Sequence, residues 1–166
     1  VPAQQGDPTA ADGGGPAARR GAPARVLTVT ALGAAVDVAH EVLTALRCTH
    51  RRTGTTDARV YEFGSRLGDL VLGGGGARLL LPAPLRRHAL HGWLVVHPST
   101  ATPPTLTVAA ARFDPAAGAW AGAAIDAVVR ELDRRGLLTD AGAELSSLTL
   151  PDSPAFPRRF RMHRGD

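Results

Sequence analysis

Apolar residues recur along the chain with two different periods, and the switches between them mark out the elements. Val26, Leu27 and Val29, interleaved with Thr28 and Thr30, form a β-branched run that predicts a strand beginning near Arg25. Val36, Ala39, Leu43 and Leu46 then fall at helical spacing, with Val42 widening the stripe, and predict a helix from about Ala34 to Arg47. Asp37 near its start suits the helix dipole. A β-rich middle follows. Thr49 to Thr53 and Ala58 to Phe63 flank Gly54-Thr55-Thr56-Asp57, the composition of a hairpin turn. Leu67 to Leu72 and Ala77 to Leu81 flank four glycines, Gly73 to Gly76, and read as a second hairpin. Pro82 and Pro84 end that strand, because proline cannot donate to a ladder. Pro84 then opens a short helix, Leu85 to His91, closed by Gly92.

Further on, Trp93 to Val96 predicts a strand closed by Pro98, and Thr105 to Phe113 predicts another. Ala119 to Arg135 carries the clearest helical stripe, Ile125, Val128, Val129 and Leu132, opposite Asp126, Arg130, Glu131 and Arg134. Arg134, Arg135 and Gly136 supply its C-terminal signal. Leu145 to Leu150 is expected as an edge strand. The sum is an α+β fold: one domain, residues 25–150, with a mostly antiparallel sheet packed against two main helices. Residues 1–24, rich in Ala, Gly and Pro, are expected as a disordered tail. Residues 151–166 are expected as a basic, proline-broken one.

Composition changes this picture in three ways. Aromatic residues make up 4% of the 166, so the core must be built from Ala, Val and Leu. All 19 basic residues are arginine, asparagine is absent, and Ile125 is the only isoleucine. That bias points to a very GC-rich bacterial genome, such as an actinobacterial one. The net charge is +4, and the pI near 10.8 reflects arginine that does not titrate, so it argues little for nucleic acid. No apolar run approaches the ~20 residues of a spanning helix, and Val1 to Gly21 lacks the apolar core of a signal peptide. Cys48 is the single cysteine, which forbids an intrachain disulfide. The expectation is a cytoplasmic protein without membrane contact.

From Tyr61 to Arg135 the order of pieces is Glu62-Phe63-Gly64, a strand, a glycine turn and Leu79-Leu80-Leu81-Pro82. A short helix ending in Gly92-Trp93, then His97-Pro98, a strand and a long closing helix complete it. In this order the stretch resembles the small bacterial "luciferase domain" family, a group of mostly unknown activity. The resemblance implies a fold more than a chemistry. One departure matters: the family's turn often carries a His-x-His pair before the glycines, and this chain has Gly68-Asp69-Leu70 there.

Candidate chemistry is sparse. His88 and His91 would share a face of the short helix, with His97 following, and three imidazoles can ligate zinc. Arg86 and Arg87 beside them oppose a cation, and no metal or cofactor is expected. Cys48 and His50 lie near Arg47, Arg51 and Arg52, a positive field that could activate a thiolate, but a small buried hydrophobe is the commoner role. Gly73 to Gly76 lacks the Gly-Lys-Ser/Thr of a P-loop. Glu62 and Asp69 could face one cleft, although alternation equally predicts solvent-facing strand residues. Asp126 and Arg130 have the spacing of a helix-surface pair. The segment Arg158-Arg159-Phe160-Arg161 could hold an anionic surface without reading sequence.

Two function classes follow. The first is a small non-catalytic module binding a protein partner or ligand, with Arg66, Trp93, Arg158, Arg159 and Arg161 as contact candidates. The second is a small enzyme with a polar cleft around Glu62, Asp69, His88 and His97. Nucleic acid is expected only as a non-specific contact of the C-terminal tail.

Overall fold

A computed structural model describes residues 22–51, 57–64, 90–111 and 117–150 of the chain. The elements are β1 (Pro23–Val29), α1 (Leu32–Ala45), β2 (Thr49–Arg51), β3 (Arg59–Gly64), β4 (His91–Ser99), β5 (Thr105–Ala111), α2 (Gly118–Arg134), β6 (Leu138–Asp140) and β7 (Leu145–Ser146). A 3-10 turn, Ser147–Thr149, follows β7. Among the described residues the strands form one sheet in the order β2-β3-β4-β5-β1-β6, with β7 also paired to β1, and every pairing is antiparallel. The α+β architecture expected from the residue pattern is the one observed.

Both helices lie on one face of the sheet, because each has one apolar stripe to bury. Leu43 and Val36 of α1 and Ile125, Val128 and Leu132 of α2 meet Leu27, Tyr61, Leu94, Val96, Leu106 and Val108 from the strands. Fully burying each such side chain stabilises the fold by about 1.5–3 kcal/mol. Phe63 stacks on Trp120 with ring centroids 4.2 Å apart, one of few aromatic contacts available to so aromatic-poor a chain. Alternation sends the intervening strand residues to the opposite face. There Ala24, Ala58, Val60, Val95, Ala109, Ala111 and Leu150 form a second buried cluster, with Val26 and Trp93 packed against it.

Both helices end in the same motif. In α2, Gly136 adopts φ 66°, its N–H bonds Asp133 O, and Leu137 N–H bonds Leu132 O. In α1, Arg47 takes the glycine's place at φ 62°, with its N–H on Thr44 O and Cys48 N–H on Leu43 O. These are paired Schellman bonds, one with the residue type that suits them and one without. No signal in the sequence marked Arg47 for this role, and the helix accordingly ends earlier than expected, at Ala45. Asp37 lies beyond the first turn of α1 and pairs with Arg59 of β3 at 3.6 Å, so it does not serve the dipole there.

Further boundaries differ from expectation. His91 and Gly92 are not the end of a helix; they open β4, drawn into the sheet by the pairings Gly64↔His91 and Phe63↔Gly92. Pro98 does not stop β4. The β3 ladder reaches only to Val96, so at Pro98 the strand pairs with β5 alone and tolerates a missing donor. Leu145 to Leu150 is a strand only over Leu145–Ser146, because the Ser146 side chain accepts from Leu148 N–H and starts the turn. β6 was not anticipated; three residues are too few to show alternation. The hairpin expected across Gly73 to Gly76 lies outside the described residues, as do residues 1–21 and 151–166; Ala22 to Ala24, expected in the disordered tail, are instead buried, and Pro23 and Ala24 open β1, where Ala24 pairs with Ala109 of β5. No helix among the described residues is long and apolar enough to cross a membrane.

Candidate functional site

Strand alternation places Glu62 of β3 on the face away from the helices, in register with Thr49 of β2 and Trp93 of β4. Arg51 and His91, two positions along their strands, project to the same side. Three strands thus deliver three polar side chains to one point. Arg51 Nε donates to Glu62 Oε2 at 2.6 Å, and His91 Nε2 lies 2.8 Å from Glu62 Oε1, the ring N–H facing a carboxylate acceptor.

Burial makes the arrangement unusual. Glu62 is 8% exposed, and the His91 side chain 10%. The expectation of a solvent-facing Glu62 is therefore corrected. Its strand parity was right, but that face is covered, and a buried carboxylate must be hydrogen-bonded. The Arg51 side chain remains 59% exposed. The triad runs from a buried imidazole through a buried carboxylate to a guanidinium at the surface.

Of the residues singled out from the sequence, Glu62 and His91 meet and Trp93 borders them, half-buried. His97 does not join. It lies on the same strand and face as His91 but six residues on, about 20 Å at the rise of a strand. The same distance removes the three-imidazole zinc arrangement, since His91 and His97 cannot reach one ion and share no helix. Arg66, Asp69, His88, Arg158, Arg159 and Arg161 lie outside the described residues. Asp126 does not pair with Arg130; its carboxylate is 3.3 Å from Arg25 Nη2, beside a small cavity of about 110 Å³ between β1 and the first turns of α2. Neither Glu62 nor His91 lines that cavity.

A second polar group stands on the helix side of the same sheet end. His50, paired with Tyr61, has its ring centroid 5.3 Å from the phenol ring, and His40 Nδ1 of α1 is 3.0 Å from Tyr61 Oη. Tyr61 is fully buried, and that burial pushes its phenol above the ordinary range, Arg59 pulling the other way. Cys48 is buried in the main core, and desolvation pushes its thiol up to about 12. This overturns the thiolate reading. The arginines nearby do not offset the apolar surroundings, and the thiol stays protonated.

Arg51 had been noted only as part of a positive field around Cys48, and His91 only as a metal candidate. The hairpin expected between Thr49–Thr53 and Ala58–Phe63 sets Arg51 beside Glu62, but nothing in the sequence joins His91 to it, because the β3–β4 register is set by a strand nearly thirty residues further on. No family model, curated protein or solved structure matches the chain.

Proposed function

We propose that the chain is a small non-catalytic α+β module that binds a protein partner at the sheet end where Arg51, Glu62, His91 and Trp93 meet. One observation carries this reading: a buried carboxylate, held by His91, grips the Nε of an exposed arginine. Such an arginine is pre-oriented, and arginine is over-represented among the anchors of protein interfaces. The resemblance to the luciferase-domain family belongs to the same proposal. The strand that follows His97-Pro98 and the long closing helix support it, whereas Gly92-Trp93 lies in β4 and not at a helix end. Residence in the cytoplasm of a GC-rich bacterium is part of the same proposal, supported by the all-arginine basic residues and the single cysteine.

The second reading is a small enzyme in which the Glu62–His91 pair moves a proton. The 2.8 Å contact favours it, since a carboxylate-oriented imidazole is the standard arrangement of a general base. The binding reading is preferred because the His91 and Glu62 side chains are both buried, and the group of the triad that solvent and a partner can reach is the Arg51 guanidinium. The thiol of Cys48 and the phenol of Tyr61 lie on the other face, in the main core.

The experiment is affinity capture from an actinobacterial lysate with wild-type chain, Arg51→Ala, Glu62→Gln and the control Arg130→Ala on α2. The expected outcome is a partner retained by wild type and Arg130→Ala and lost from the two site variants. Retention by all four, or hydrolytic turnover abolished by Glu62→Gln, overturns the reading.

A further inference from the structure

We draw no further inference here: the strongest candidate, the cavity of about 110 Å³ between β1 and the first turns of α2, is lined by a stripe of small residues and by Arg25 and Asp126, which already pair with each other, and nothing among the described residues shows what fills it.

Discussion

Cys48 and Glu131 show burial and hydrogen bonds pulling two acidic groups in opposite directions from their ordinary values. Desolvation lifts the Cys48 thiol to about 12. At mildly alkaline pH its thiolate fraction is about a thousandfold below that of an ordinary cysteine, so native alkylation should be slower by at least that factor. Iodoacetamide labelling with and without urea checks this; comparable rates would mean the thiol is accessible. Glu131, on the surface, receives Nε and Nη2 of Arg134 and Nε of Arg135, which hold its carboxyl at about 2. Its folded value lies below the unfolded one, about 4.3. The stabilisation is therefore complete above the unfolded value and disappears as pH falls toward 2. Glu131→Gln should lower the melting temperature at pH 6 but not at pH 2, by a small amount that salt screens. An equal deficit at both pH values would rule out the ion pairs as its source. Little of this was legible beforehand. The strand parity of Glu62 and the charge of Glu131 could be read from neighbours, whereas the burial of Glu62 depends on a strand far along the chain.

The two helices were legible as elements because their stripes are long and regular. Their ends divide on one residue each: Gly136 announces the α2 motif, and Arg47 conceals the α1 motif. A non-glycine residue at positive φ costs about 1–2 kcal/mol, and glycine gives part of that back as unfolded-chain entropy. Arg47→Gly is therefore expected to stabilise the protein by about 0.5–1 kcal/mol in urea unfolding; a loss of stability would show that the arginine side chain does more than occupy the turn. Gly64, at the end of β3, is the converse case. Its φ is 76°, and a Cβ there would run into the carbonyl of Leu90. Gly64→Ala should cost more than about 2 kcal/mol, the strained φ adding to a clash with backbone that must move. A mild effect on the same unfolding curve would mean that the β3–β4 connection yields easily. Short elements escaped the reading for a plain reason. β6 and β7 have three residues or fewer, and their existence is decided by the edge of β1 that they pair with.

Hairpin signals in the middle of the chain were enough to indicate a mostly antiparallel sheet, but not its order. β2, β3, β4 and β5 run as neighbours, as a meander should. β1, the first strand, then inserts between β5 and β6, a placement that no local pattern encodes. A chain ending at Pro104 is thus predicted to lack the cooperative fold altogether, although it contains α1 and most of the strands; dispersed amide signals from such a fragment would contradict this. The position of β1 also sets a timetable. Its partners in β5 all lie at or beyond Thr105, and those in β6 and β7 come later still. On the ribosome, Leu27 and Val29 emerge early and must wait, unpaired and apolar, until most of the domain has been made. The sheet then closes around its oldest strand in one late step, which favours slow, contact-order-limited folding. It also makes the nascent chain a client for whatever holds apolar strands apart during synthesis.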